Sequence, residues 1–534
     1  MWSCFSLLKK LTHNSWISIP AAFLYAISPV AIAAISSGHI ATLVLLIFAP
    51  ILAAILHDWW GIEIYSWRKI FSISILFSLL YAFTLMSFVI ALTAAIAITL
   101  DNYEDYSLTQ DKAVWRERLI KRSALVFVPF LVNAPFSFEA IVHPSRFLTE
   151  PGLLIPGGGP LAVLLGNPGG SGSVPLWLVS PILLILVISL FSSTHARRIA
   201  EYGIGALALA VLVGSLSIST HGNEGVAKVW AGPVLSIATL AAVAAGTVML
   251  DRLRQTLILS HIHYRHVLSA ILLLITTSYA ILAVGFSVST GADSAVQANR
   301  ATVMPAFLSV EADTKILVLR EIGSGEDKKI QYYISRGQDI SLGEPDVAPK
   351  QNKEIAIAAR ALIDGSGITS SKTLGDHGIK YVFVKSPFKK EIVRSIDGLG
   401  GFTRTSATSL GVVWSVSQPT GRLLFVNEEG VRTVLEAGDF GARTYVPSAG
   451  TLILTESSNR SWQVLQNGYR LIRTNNEIGL PTFSVKEAGE ISLIHDGTVR
   501  RAWLSLQFIF LVVVIVMALP AGRRKREISE KELA

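Results

Sequence analysis

The run WLSLQFIFLVVVIVMALP, Trp503–Pro520, is followed two residues later by Arg523-Arg524-Lys525-Arg526, and its reading decides the fold of the whole chain. Its 18 residues carry no charge, which is long enough for a helix to cross the hydrocarbon core of a bilayer. A basic cluster just beyond a spanning helix marks the cytoplasmic side. The polar stretch from 290 to 500, which precedes this run, must then lie on the opposite face, tied to the membrane at both ends.

Working backwards and forwards from that anchor, apolar runs occupy 15–36, 40–57, 122–142, 175–193, 199–219, 228–250 and 267–289, each near the ~17–25 residues that a span needs. Counting crossings puts 37–39, 143–174 and 220–227 outside. Lys9-Lys10, Arg68-Lys69, Arg116 to Arg122, Arg197-Arg198 and Arg252 to Arg265 then fall inside, as the positive-inside bias requires. The longer run at 70–99 begins and ends inside under this count. It is therefore expected to be two short helices turning near Thr84-Leu85-Met86-Ser87. The expected fold is a polytopic α-helical membrane protein of about 9–10 transmembrane helices, multi-pass in the plasma membrane, with 290–500 extracytoplasmic and the C-terminus cytoplasmic.

Composition agrees: 51% of residues are hydrophobic and 16% charged, with mean hydropathy +0.51, which excludes an ordinary soluble domain. The net charge of +8 sits beside apolar runs and reads as topology rather than as a nucleic-acid footprint, so no nucleic-acid partner is expected. The single Cys4 excludes an intrachain disulfide, so the external region must stand on packing alone.

Four regions follow: a transmembrane domain at 1–289 with a Gly/Pro-rich external loop at 143–174, two external modules at 290–418 and 419–500, and a closing helix with its basic tail at 501–534. In the first module Lys315 to Arg320, Ile330 to Ile334, Lys380 to Lys385 and Val412 to Val416 read as strands, and Lys353 to Ile363 as a helix ended by Asp364-Gly365. That alternation predicts an α/β module. In the second, Thr451 to Thr455, Trp462 to Leu465 and Glu490 to Ile494 are strands separated by Asn467-Gly468, Ala488-Gly489 and Asp496-Gly497. Asn-Gly is a strong hairpin signal, and a β-sandwich is expected.

Chemistry is harder to place. The glycines at 157–159 and 169–172 lack the Lys-Ser/Thr of a phosphate-binding loop and read as a flexible external loop. His261, His263 and His266 lie among Arg252, Arg254 and Arg265 without zinc spacing, and read as a basic juxtamembrane collar. No metal and no cofactor is expected. Asn459-Arg460-Ser461 matches a glycosylation acceptor only formally, and Trp462 reads as a sandwich-core aromatic rather than a sugar platform. Glu139 is different. It lies inside an apolar run, where an ionised group costs several kcal/mol unless paired or hydrated. Asn133 and Pro135 are expected to break that helix, and His143, Arg146 and Glu150 follow directly. Glu139 and Glu150 are the candidate catalytic acids or bases; His39, His143 and Arg146 are the candidate substrate-binding residues, suited to the phosphate of a lipid-linked donor. Interfacial contact with lipid headgroups is the competing reading of the same cluster. His39, beside Gly38 on the first external turn, either lines the same cavity or merely links two helices.

Several stretches resemble the C-terminal membrane half of large actinobacterial family 2 glycosyltransferases, with a GT-C-like polytopic membrane region. They are Ala21 to Pro29, Ser37 to Leu43, His143-Pro144, Glu150-Pro151-Gly152, Leu374 to Val384, Val413-Trp414 and the closing helix through Ala518-Leu519-Pro520 with its basic cluster. The segment Leu454 to Glu490 looks like the juxtamembrane β-module that ends many bacterial membrane glycosyltransferases. The resemblance covers nearly the whole chain, in order, by loose pieces. It implies a place in cell-envelope polysaccharide assembly. It also implies a nucleotide-sugar domain ahead of the helices and an acid in the first external loop. This sequence shows neither, so the missing domain is expected on a separate nucleotide-sugar glycosyltransferase subunit or an upstream fragment, unless it is truly lacking. The function expected is handling of a lipid-linked sugar or glycan acceptor at the outer face, with membrane lipids as neighbours, alone or as half of a split transferase. Whether the chain itself transfers a hexosyl or pentosyl group stays open at this point. A non-catalytic scaffold or glycan-binding subunit is the alternative; a transporter or flippase is disfavoured, for no internal repeat is evident and most spans lack charge near their middle.

Overall fold

A computed structural model describes the chain except residue 13 and residues 57–65, 104–111, 151–156, 171–173, 220–225, 259–263, 292–304, 311–313, 323–328, 337–352, 439–440, 457–460 and 520–534. The basic tail, His261, His263, Asn459 and Pro151-Gly152 therefore lie outside the described residues.

The first half is helical. Among the described residues four helical segments are long and apolar enough to cross a bilayer: Ser15–Ser37, Thr194–Ser215, Gly232–Leu257 and Thr498–Ala518. A fifth is gained if Lys112–Val132 and Phe136–Val142, which meet at 99°, count as one bent span. The break falls at Asn133-Ala134-Pro135, where proline removes a backbone donor and the Asn133 amide donates instead to the carbonyls of Ser78 (3.0 Å) and Pro129 (2.9 Å). Helices Thr194–Ser215 and Gly232–Ile258 pack closely through small residues, since a Cβ on Gly203 would lie 2.9 Å from Ala241 and 2.6 Å from Leu186. In lipid, close backbone approach of this kind replaces the hydrophobic drive of water. The chain is a mostly helical membrane protein with separate β-sheets toward its C-terminus.

Contacts far apart in sequence sort the polar groups into two ends. At one end Lys10 Nζ donates to the Ala54 carbonyl (2.8 Å), and Asn14 donates to Asp251 (3.1 Å). The same sorting joins Tyr202 to Asp101 (3.3 Å) and Ser72 to the Ala518 carbonyl (3.4 Å). The apolar run at 70–99 forms two helices, Trp67–Phe83 and Met86–Asp101. Lys121 lies over the Trp67 ring at its start (5.7 Å) while Arg122 donates to Thr99 at its finish (3.1 Å). Adjacent residues thus hold both ends of the run, which doubles back at Thr84-Leu85. The residues 37–39, 157–170 and 228–230 gather at the other end.

A short antiparallel pair, β1 (Ser217–Ser219) and β2 (Val226–Lys228), lies between two of the helices. The β-region holds β3 (Lys315–Ile322), β4 (Lys329–Arg336), β5 (Ile379–Lys385), β6 (Phe402–Thr408) and β7 (Gly411–Val416), which form a mixed five-stranded sheet of order β4-β3-β5-β7-β6. Helices Lys353–Asp364, Ser370–Asp376 and Lys390–Asp397 accompany it, and β3 and β5 run parallel. The helix Lys353–Asp364 buries Ile355, Ala358, Ala359 and Leu362, the 3–4 spacing of one helical face. After Ser417 come β8 (Leu423–Asn427), β9 (Arg432–Leu435), β10 (Gly441–Val446), β11 (Gly450–Leu454), β12 (Trp462–Gln466), β13 (Tyr469–Arg470), β14 (Arg473–Asn475), β15 (Pro481–Val485) and β16 (Gly489–His495). They form two antiparallel sheets, one of order β14-β15-β11-β8-β9 and the other β10-β16-β12-β13. The two sheets share one core containing Phe425, Leu452, Trp462, Val464, Phe483 and Leu493. Asn467 (φ 48°) and Gly468 (φ 86°) turn β12 into β13, the paired positive φ values of a type I′ hairpin.

Candidate functional site

Gly38 ends the helix Pro29–Ser37 in the left-handed region (φ 77°), and the next helix starts at Ile40. Gly38 and His39 are the whole linker between them. The His39 N–H donates to the Ala34 carbonyl (2.9 Å) and its own carbonyl accepts from Leu43 (3.2 Å), so the backbone is pinned on both sides. One turn on, the backbone N–H of Thr42 donates to Glu150 Oε2 (3.4 Å) and the Thr42 hydroxyl donates to Glu150 Oε1. Glu150 arrives after the short 3₁₀ turn Pro144–Phe147 and sets its carboxylate at the N-terminus of Ile40–Leu56, where free N–H groups and the helix dipole favour an anion.

His39 Nδ1 lies 3.3 Å from Glu150 Oε2. An ionised carboxylate only accepts hydrogen bonds, so Nδ1 is the ring nitrogen placed to give a proton to Glu150, and Nε2 is the one turned away from it. The imidazole stacks on Trp230, with ring centroids 3.7 Å apart and 12° between planes. Trp230 Nε1 in turn donates to the Thr42 hydroxyl (2.9 Å). A closed circuit results: Trp230 to Thr42, Thr42 to Glu150, Glu150 to His39, and His39 back to Trp230. The side chains of His39 and Glu150 are only 8% and 6% exposed. Within the circuit one atom stands out: His39 Nε2 is buried and has no hydrogen-bond partner. Such orphans are rare because each forfeits roughly 1–3 kcal/mol of desolvation.

The Gly-rich segment, expected to be a flexible loop, instead packs hard against this circuit. Gly157 pairs with Gly169, Gly157 N–H donates to the Lys228 carbonyl (3.0 Å), and Gly158 N–H to that of Pro168 (2.7 Å). A Cβ on Gly157 would fall 2.1 Å from the Val229 carbonyl oxygen. One on Gly170 (φ +98°) would fall 2.1 Å from Ser37 Oγ and 3.3 Å from the Trp230 ring. Glycine is there because two backbones touch, not because the segment swings freely. The short helix Pro160–Leu164 rises from it and buries Val163.

The other residues singled out from sequence lie apart from the circuit. Glu139, on the short helix Phe136–Val142, is 56% exposed and pairs with Arg146, which is 10% exposed. His143 ends that helix with its side chain exposed. The sequence reading named His39 and Glu150, which the fold brings together, and Glu139 and Arg146, which pair separately. It missed Thr42 and Trp230. A tryptophan two residues before Gly232-Pro233, at a helix start on the membrane boundary, was the available signal for Trp230. Thr42 carried none beyond its place in the Ser37–Leu43 stretch.

No family model and no curated protein matches the chain. Among solved structures it is similar to the cryo-EM structure of arabinofuranosyltransferase AftD from mycobacteria, at 10% identity and a TM-score of 0.44. That likeness covers 93% of this chain and 52% of the other, so the chain spans about half the length of the protein it matches.

Proposed function

We propose that this protein works in cell-envelope polysaccharide assembly as a membrane glycosyltransferase-like component, handling a lipid-linked sugar or a glycan acceptor at the outer membrane face. The observation that carries the reading is the buried His39–Glu150 pair with Nε2 unsatisfied. In this reading His39 is the general base and Glu150 the positioning carboxylate that fixes the tautomer and stabilises the imidazolium. The acceptor hydroxyl gives its proton to Nε2, its oxygen bonds to the anomeric carbon, and the carbon–oxygen bond to the carrier phosphate breaks, releasing polyprenyl phosphate. Glu139, His143 and Arg146, on the loop that delivers Glu150, are assigned to the phosphate end of that donor.

The same proposal extends to topology. Nine to ten crossings place 290–500 outside, as an α/β module and a β-sandwich covering the site, and the C-terminus in the cytoplasm. The two-ended sorting of polar contacts supports it, because Lys10, Arg122 and the segment from Arg68 to Ser72 share one end and His39, Glu150 and Trp230 the other.

The test is transfer from a polyprenyl-phosphate sugar to a glycan acceptor by purified full-length chain, alone and with any co-purifying transferase subunit. His39→Ala is expected to lower the rate about 10²–10⁴-fold, the usual share of a general base. Unchanged transfer by His39→Ala removes the pair from the chemistry. Lack of transfer by the chain alone, with activity restored by a separate subunit, favours the non-catalytic scaffold.

A further inference from the structure

Midway along the helices Trp67–Phe83 and Thr498–Ala518, the two face each other without closing. Ser72, Ile75, Leu76 and Leu79 form a stripe on the first, at the 3–4 spacing of one helical face. Leu504, Gln507, Phe508 and Leu511 form the matching stripe on the second. Between them is a cavity of about 750 Å³, with Ser78, Val132 and Asn133 completing its wall. Its two ends are fixed by hydrogen bonds. Ser72 Oγ reaches the Ala518 carbonyl (3.4 Å) at one, and Gln507 Nε2 donates to the Val132 carbonyl (2.8 Å) at the other. Because both amide nitrogens, of Asn133 and Gln507, are engaged with backbone carbonyls, the groove presents apolar carbon plus amide oxygens.

One turn before Ser72, on the same face, stands Arg68, exposed and followed by exposed Lys69. The groove therefore has a basic mouth, at the end where Ala518 closes the final helix. The stripe from Ser72 to Leu79 spans eight residues, about 10 Å, and ends about 16 Å along the helix from Arg68, close to the ~15 Å depth of one leaflet of a ~30 Å hydrocarbon core. At roughly 30 Å³ per water-sized unit, the cavity holds on the order of 25 methylene-sized groups. That suits acyl chain and is too little for a long polyprenyl tail. Leu504, Phe508 and Leu79 are all exposed to the side, so a chain enters laterally from the bilayer.

We infer that this groove binds a glycerophospholipid with an anionic headgroup, its phosphate at Arg68 and an acyl chain between the two helices. Its basic mouth lies at the end opposite the proposed reaction, so it is independent of that reading and serves to seat the closing helix against Trp67–Phe83.

The experiment is native mass spectrometry of the full chain released from detergent, titrated separately with phosphatidylglycerol, phosphatidylcholine and decaprenyl phosphate. Phosphatidylglycerol is expected to be retained about fivefold or more over phosphatidylcholine, the effect of one basic side chain near a lipid phosphate. Arg68→Glu should abolish that preference. Leu79→Trp, which fills the groove from an exposed position, should lower retention of phosphatidylglycerol at least tenfold. Unaltered elution on gel filtration shows that each variant is folded, and if Leu79→Trp is not, the headgroup comparison and Arg68→Glu still decide. Equal retention of the neutral and anionic phospholipids, or unchanged retention in Leu79→Trp, overturns the site as ordinary annular lipid. Tighter retention of decaprenyl phosphate than of phosphatidylglycerol overturns the choice of occupant.

Discussion

Replacing Glu456 by glutamine should unfasten the two β-region modules from each other. Glu456, just after β11, accepts from Arg336 at the end of β4 and lies 3.0 Å from Arg422 Nε, ahead of β8. Lys315, at the start of β3, donates to the carbonyls of Thr455 and His377 (3.2 Å to the latter). One carboxylate thus offsets three cations, and it is only 17% exposed, as Arg336 is 16%. Breaking a buried pair from one side leaves uncompensated charge and costs ~3–5 kcal/mol; the residual exposure argues for the lower end, about 3 kcal/mol. Trp414 and Trp462 are buried in the two modules, so their fluorescence during denaturant unfolding reports both. The expected result is a lowered midpoint with an unchanged slope. Adding Lys315→Met to Glu456→Gln should recover part of the loss, because it removes one of the stranded cations. A loss under about 1 kcal/mol, or a double variant whose cost is the sum of the singles, would refute the charge argument. The pH dependence follows in sign. Burial first, with the nearby arginines adding to it and Glu456 opposing, lowers the Lys315 pKa from 10.5 to about 8. Between those values the unfolded chain binds more protons than the folded one, so stability should rise with pH across that window. Burial works to raise the Glu456 pKa, but Lys315, Arg336 and Arg422 outweigh it and hold it below the usual 4.5. Its contribution is therefore present above pH 4.5 and lost on acidification through the lowered value.

Three further outcomes can be measured directly. Gly170→Ala forces a side chain into positive φ and onto Ser37 Oγ; it should cost about 1–3 kcal/mol, seen as a lower melting temperature in detergent, and an unchanged one would mean the loop yields. Trp230→Phe keeps a ring over His39 but deletes the bond to Thr42, costing about 1 kcal/mol, whereas Trp230→Ala should cost ~3–5 kcal/mol; equal effects would deny the stack its role. In a Cys4→Ala background, Trp67→Cys and Tyr103→Cys should react with a membrane-impermeant maleimide from one side of the membrane and Ile40→Cys from the other. Labelling of Trp67→Cys and Tyr103→Cys from opposite sides would exclude the doubled-back run.

How much of this was legible in the sequence depends on whether a property is local. Helices at 67–83 and 86–101 could be foreseen because basic residues mark both flanks of one over-long run, and the charge count leaves only an even number of crossings between them. The Asn467-Gly468 turn was equally readable, since two consecutive positive φ values demand those residue types. The glycines at 157–170 were misjudged, because glycine density looks the same whether it serves freedom or close approach; only the carbonyl of Val229 and the hydroxyl of Ser37 in the fold decide which.

The carboxylates show the same divide. Glu139 drew notice because its neighbours in sequence are apolar, yet the bend at Pro135 turns its helix by 99° and leaves it exposed beside Arg146. Glu150 sits in a polar, Pro/Gly-rich loop and is the one that becomes buried. Its partners Thr42 and His39 are more than a hundred residues earlier, and Trp230 is 188 residues from Thr42. No periodicity connects such positions. What does connect them is topology: if 37–39, 143–174 and 220–227 all emerge on one face, their few polar side chains have only each other, lipid or water for company. A carboxylate, an imidazole, a hydroxyl and an indole N–H brought together there leave a single atom over, His39 Nε2, and in the proposed reaction that is the atom an acceptor hydroxyl meets.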